Sequence, residues 1–352
     1  MGPRRVGKTV LLRHAIRVLL ERGARPARIF YVSVDHPLFN GLGLGDLLSA
    51  WEEAAGVSIG EEEAFVFFDE IQYLRDWERH LKVLIYQHPS VRFVASGSAA
   101  ALKLKSQESG AGRFTDFLLP PLTFSEYLSL TGNPPGGPVG PGLDVDVEEL
   151  NRRFVSYVNF GGYPEGALSP EIQADPGRFV KADIIDKVLL RDLPSLYGIE
   201  DVQELNALFT TLAFNSANEV SLEGLSKKSG VAKNTLKRYI EYLEAAFLLE
   251  VVHRVDRNAR RFQRATAFKV YLTNPSMRAA LFAPVGAEDP ATGDLVETAV
   301  FAQWFHARPP IHYARWDREG GEVDLVEIDA AQPTGDVAQR VLARFTGDAR
   351  RA

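Results

Sequence analysis

The chain has 352 residues, 45% hydrophobic and 24% charged, the composition of a globular protein long enough for two or three domains. It has no cysteine, which excludes disulfides and thiolate metal sites and fits a reducing, cytoplasmic setting, and no apolar run approaches the ~20 residues that span a bilayer. A net charge of −6 excludes a uniformly basic nucleic-acid coat but leaves room for a local basic patch.

The first informative stretch is Gly2 to Thr9, Gly-Pro-Arg-Arg-Val-Gly-Lys-Thr, which fits G-x-x-x-x-G-K-[ST]. Glycines at both ends let the backbone bend and turn its N–H groups onto a phosphate. Lys8 is then the group that reaches the β- and γ-phosphates, and the Thr9 hydroxyl is a ligand for Mg²⁺. The residues expected to touch the cofactor are Gly2, Arg4, Arg5, Val6, Gly7, Lys8, Thr9 and Val10. Val10 to Arg22 has a helical apolar stripe at 11, 12, 15, 16, 19 and 20, ended by Gly23 and Pro26. Ala27 to Asp35 predicts a strand, and Leu44 to Ala55 a helix. Ala64 to Phe68 is a continuous apolar run, as in a parallel strand covered on both faces, and it ends in Asp69-Glu70. Asp76 to Gln87 predicts a helix and Val91 to Ala95 another buried strand, so the pattern is an α/β parallel sheet.

An apolar strand ending in Asp-Glu about 60 residues after a phosphate loop supplies the second half of such a site. It delivers Asp69 to the carboxyl edge of the sheet, where open α/β folds bind ligands, to hold Mg²⁺; Glu70 would polarise an attacking water. Ser98, after the next strand, reads either as a polar sensor of the γ-phosphate or as a plain turn serine. Arg113 lies in the glycine-broken loop Gln107 to Thr115. It reads either as a solvated arginine or as a guanidinium that contacts the γ-phosphate, in its own chain or in a neighbouring copy.

Together with Tyr-Val-Ser-Val-Asp at 31–35, Phe-Phe-Asp-Glu-Ile-Gln at 67–72, Ser-Gly-Ser at 96–98, Gly-Arg at 112–113 and Pro-Leu-Thr-Phe-Ser-Glu-Tyr at 121–127, these motifs resemble the predicted ATPases of the AAA+ superfamily in bacteria and archaea. Those proteins carry a C-terminal domain of unknown function. The resemblance covers most of the chain and implies ATP with Mg²⁺ as ligand. It also implies Arg113 as an arginine finger or sensor, and so a homo-oligomer in which a neighbour supplies it.

Gly132 to Val147 is rich in proline and glycine and reads as a linker, so the ATPase domain is expected over residues 1–131 and the linker over 132–147. Leu150 to Phe160, Phe179 to Asp192 and Val202 to Phe214 have helical patterns, and Gly161 to Glu165, a Gly-Tyr-Pro turn similar to the family's, reads as structural. Leu222 to Lys228, a turn at Ser229-Gly230-Val231 and Lys233 to Phe247 give a helix-turn-helix, with Leu248 to Val255 and Ala267 to Leu272 as wing strands. Residues 220–264 hold ten Lys or Arg against five Asp or Glu, +5 in a chain at −6. On a duplex, Lys233, Asn234, Lys237 and Arg238 would face the major groove, and Arg257, Arg260, Arg261 and Arg264 the phosphates; the plain alternative is a winged helix used for packing. A helical and winged-helix domain is thus expected over 148–282.

In the last part, 283–352, a helix with Glu297 and strands at 311–316 and 321–327, with Asp324, resemble the start of a restriction-endonuclease-like metal site. No lysine follows Lys269, so the full pattern is incomplete and the region reads as a truncated α/β nuclease-like tail. A phosphate loop of this kind ordinarily follows a buried strand, while only Met1 precedes Gly2 here, so both ends read as clipped, from a misassigned start or a decaying gene. The expected function is Mg-dependent ATP binding and hydrolysis. The alternative is a DNA-binding regulator or scaffold that uses nucleotide as a conformational ligand, with duplex DNA as partner and no membrane.

Overall fold

A computed structural model describes residues 1–60, 62–98, 114–132, 146–255, 267–304, 311–316 and 321–327. The chain forms two compact units, one of Met1–Pro120 with the short stretch Ala245–Phe247, the other built from Pro121 onward.

The first unit alternates helix and strand: α1 (Lys8–Glu21), β1 (Ile29–Ser33), α2 (Leu44–Ala55), β2 (Ala64–Asp69), α3 (Trp77–Gln87) and β3 (Val91–Ala95). The strands form a parallel sheet in the order β1-β2-β3, with Ser33 opposite Asp69 and Phe68 opposite Ala95. The apolar run read at 64–68 is the middle strand. Val66 and Phe68 are buried in a core with Leu44, Leu48 and Trp51 of α2 and Leu81 and Leu84 of α3, while Phe67, which faces the other way, is buried too. Each such side chain contributes roughly 1.5–3 kcal/mol by leaving water. This burial fixes β2, and with it the position of Asp69.

In the second unit, α4 (Phe124–Leu130) is capped by Thr123, whose hydroxyl accepts from the Glu126 N–H while the Glu126 carboxylate takes the Thr123 N–H. Tyr127 and Leu128 of α4 share a core with Tyr157 and Val158 of α5 (Val147–Phe160). The apolar face of α4 is thus buried by α5, within the unit that begins at Pro121. Two short helices follow at Pro164–Leu168 and Pro170–Ala174, then a helical run over Gly177–Asp186 and Val188–Asp192 wound with i→i+5 turns. Phe179-Val180 and Ile184-Ile185 are buried doublets five residues apart, the spacing that such turns bring to one side.

After α6 (Val202–Phe214) come β4 (Glu219–Ser221), α7 (Leu222–Ser229), α8 (Lys233–Ala245), β5 (Leu249–Val255) and β6 (Ala267–Leu272), then α9 (Ser276–Leu281), α10 (Thr292–Gln303), β7 (Ile311–Trp316) and β8 (Gly321–Glu327). Gly230 ends α7 in the left-handed region (φ +75°), its N–H returning to the Ser226 carbonyl. The strands form one sheet in the order β4-β6-β5-β7-β8, in which β5 pairs antiparallel with β6 and parallel with β7. β7 and β8 thus extend the sheet begun at β4. Among the described residues no helix is long and apolar enough to cross a membrane.

Candidate functional site

The loop before α1 is held open by two glycines for different reasons. Gly7 caps the helix at φ +96°, a conformation that side chains resist, with open space around it. Gly2 is packed instead: a Cβ there would lie 2.2 Å from the Leu119 carbonyl oxygen. Arg5 between them also has a positive φ, +63°, and is exposed, while Val6 is buried and pins the loop. Lys8 is buried, and its ammonium crosses the loop to donate to the carbonyls of Pro3 (2.6 Å) and Gly2 (3.2 Å). No side chain caps α1 and its first turn carries no acid. Arg4 is half-buried at this loop, and Val10 is exposed on the helix.

The strand register assembles the acidic half. Asp69, fully buried at the end of β2, stands opposite Ser33 of β1 and next to Ser96 beyond β3. One carboxylate oxygen, Oδ2, accepts from the Thr9 hydroxyl (2.7 Å) and the Tyr31 hydroxyl (2.8 Å). The other, Oδ1, accepts from the Ser96 hydroxyl and the Glu70 N–H (3.1 Å). Burial alone raises the Asp69 pKa, but the hydrogen bonds from Ser96, Thr9, Tyr31 and the Glu70 N–H outweigh it, and the net shift is downward. Burial, then the bond to Asp69, pushes the Tyr31 phenol up.

Glu70 follows in a left-handed turn at φ +53°. Its carboxylate accepts from the Gln72 amide, whose oxygen in turn accepts from the Ser98 N–H (3.2 Å). Gly2 makes a parallel bridge with Ser98, so the start of the loop and the end of the third strand meet beside Glu70.

The structure therefore brings together Gly2, Lys8, Thr9, Asp69, Glu70 and Ser98, while Arg113 lies outside the described residues. Sequence reasoning missed Tyr31, Ser96 and Gln72. The signal for Ser96 and Tyr31 is register, since both sit where neighbouring strands face Asp69; Gln72 follows Glu70 by two residues in a tight turn. Thr9 and Asp69 are both hard-oxygen donors, the set that fits Mg²⁺, and among the described residues no group of three or more His, Cys, Asp or Glu is placed to hold a metal by itself.

In the second unit, Lys233, Asn234, Lys237 and Arg238 are all exposed on α8, opposite its buried Leu236, Tyr239, Ile240 and Leu243. Lys237 is 3.9 Å from Glu241, one turn on. Arg257, Arg260, Arg261 and Arg264 lie outside the described residues. Glu297, a metal ligand in the nuclease expectation, is engaged otherwise: its Oε1 accepts from the buried Lys269 ammonium (3.2 Å) and from the Tyr271 hydroxyl. The Asp324 side chain lies outside the described set.

Residues 1–128 match the AAA domain family, and residues 151–289 match a domain of unknown function. An uncharacterized protein of Methanocaldococcus jannaschii is 28% identical, covering 93% of this chain and 72% of its own length. An uncharacterized protein of Haemophilus influenzae is 21% identical, covering 94% and 76%. Among solved structures, the chain is similar to the Aeropyrum pernix ORC2 protein in its ADP form, at 14% identity over 87% of each chain and a TM-score of 0.37.

Proposed function

This chain carries an AAA domain at residues 1–128, followed by a domain of unknown function at 151–289, and from that premise we propose that it binds ATP with Mg²⁺ and hydrolyses it. The observation that carries the reading is the bond from Thr9, in the first turn after the phosphate loop, to Asp69, 60 residues away at the end of β2. It brings the two groups that would share a metal to 2.7 Å by two independent routes, a loop and a strand.

In this reading the α1 amides and the Gly2–Gly7 loop cradle the phosphates, and Lys8 exchanges its two loop carbonyls for phosphate oxygens. Thr9 and Asp69 would hold Mg²⁺, which supplies charge neutralisation on the phosphates. Glu70, held by the Gln72 amide, accepts a proton from the attacking water. Ser98 orients the γ-phosphate, and Arg113 stabilises the transition-state charge, in its own chain or across a homo-oligomer. Calorimetry with Mg-ATP tests the binding: Lys8→Ala should weaken affinity by about tenfold to a hundredfold, the worth of a charged hydrogen bond. Glu70→Gln should bind as the parent does and lose turnover; retained turnover would remove Glu70 as the base.

A second reading rests on α8. Its exposed residues Lys233, Asn234, Lys237 and Arg238, with the acidic Glu241 beside Lys237, share a face of what would be the second helix of a helix-turn-helix. That placement supports duplex DNA as partner, with Lys233, Asn234, Lys237 and Arg238 in the major groove and nucleotide as a conformational ligand. The engagement of Glu297 by Lys269 supports no nuclease reading.

A further inference from the structure

Donors reach the Asp69 carboxylate from four places: Thr9 on α1, Tyr31 on β1, Ser96 beyond β3 and the Glu70 N–H of its own turn. An ionised carboxylate offers about four lone-pair sites, so this set fills it. Serving a metal, directly or through water, therefore costs Asp69 one of these donors. Their placement decides which.

Three of the four are held. Ser96 is buried, and its backbone N–H and C=O are both bonded, to Phe68 and Ile71 at 2.8 and 2.9 Å. The Glu70 N–H is backbone, fixed by its left-handed turn. The Thr9 hydroxyl can donate its proton to Asp69 while its oxygen lone pairs serve the metal, so it need not leave. Tyr31 differs. Its side chain is half-buried and carries the hydroxyl at its far end, on β1, which among the described residues is an edge strand. Ser33, directly opposite Asp69, donates to Asp35 instead (2.5 Å), so β1 reaches the carboxylate through Tyr31. The guanidinium of Arg13, one helical turn beyond Thr9, lies 5.9 Å from the Tyr31 ring centroid and steadies the ring by a cation–π contact.

We propose that Tyr31 gates the metal position: its hydroxyl holds Oδ2 of Asp69, the oxygen shared with Thr9, and gives it up as the chain takes Mg²⁺ with nucleotide. The inference rests on the nucleotide reading above and assigns, within it, a positioning residue that sets the Mg²⁺ requirement. A donor that must be given up lowers the apparent affinity for the metal by the worth of one hydrogen bond to a charged group, about tenfold or more. The same bond keeps the buried carboxylate partnered, with Oδ2 beside Thr9, before the metal is taken up.

The test is calorimetry on the full chain with a non-hydrolysable ATP analogue, first in EDTA and then across a Mg²⁺ series. Tyr31→Phe keeps the ring and removes the donor. It should lower the Mg²⁺ concentration for half-maximal tightening by about tenfold or more, with affinity in EDTA within about twofold of the parent. Loss of a merely structural group would weaken binding, so a gain separates the two roles. Arg13→Ala, on an exposed residue, should move the requirement the same way by about twofold to fivefold, the worth of an exposed cation–π contact. Adding Mg²⁺ to the analogue-loaded parent should also shift its near-ultraviolet tyrosine spectrum, and Tyr31→Phe should lack that shift. An unchanged or raised Mg²⁺ requirement in Tyr31→Phe, with the parent binding the analogue, would overturn the role of Tyr31 alone. A parent that binds no analogue at any Mg²⁺ concentration would overturn the nucleotide reading and this inference with it.

Discussion

Asp69 keeps its charge although it is buried, because every lone pair that the fold turns toward it meets a donor. A carboxylate with a lowered folded pKa contributes stability that is present above its unfolded pKa, ~3.9, and is lost as pH falls through the folded value. The first unit should therefore lose stability below about pH 4, and Asp69→Asn should flatten that acid limb in a denaturation series. A limb unchanged in Asp69→Asn would mean that other carboxylates set it. Gln72 acts on its neighbour instead. By accepting from the Ser98 N–H and donating to Glu70 it fixes the carboxylate relative to the strand ends. Gln72→Ala should cost about tenfold in ATP turnover, a part of the ~10²–10⁴ that a positioned base supplies, with Mg-ATP affinity within about twofold of the parent. An equal loss in affinity would make Gln72 a binding residue.

Elements are where the sequence was most legible. The run at 64–68 needed no tertiary information to be read as a doubly covered strand, and the stripe at 11, 12, 15, 16, 19 and 20 reads as α1. The loop was legible as well, since Gly7 sits where an αL residue must stand. Gly7→Ala meets no neighbour, so its cost is backbone strain alone, about 1–2 kcal/mol, measurable as a shift in denaturant midpoint at unchanged slope. A larger loss would point to crowding that the open space around Gly7 excludes. What periodicity could not give was long-range pairing. Nothing local in Tyr31 or Ser96 announces Asp69, because their contact exists only once β1 and β3 flank β2 in register. The packing of α4 in the second unit depends likewise on a partner helix some 20 residues downstream. The helix expected over 179–192 came out with wider turns, and its doublets at 179-180 and 184-185 carried that signal in plain view.

At the scale of the whole molecule, charge decides what the second unit can meet. A chain at −6 is repelled by the polyphosphate backbone at long range, so duplex binding must come from a segment whose local field has the opposite sign, and 220–264, at +5 with its α8 residues exposed, is such a segment. Attraction of this kind is screened within ~10 Å at 0.1 M salt, which makes ionic strength the discriminating variable. If α8 enters the groove with Lys237 on a phosphate, log affinity should fall linearly with log salt, and Lys237→Glu should weaken binding at every duplex sequence and flatten that slope by about one. The same substitution should leave Mg-ATP binding unchanged, since the groups proposed to hold nucleotide all lie in the first unit. A slope near zero in the parent chain, or a Lys237→Glu variant that shifts DNA as the parent does, would leave α8 as a packing helix whose lysines are merely solvated.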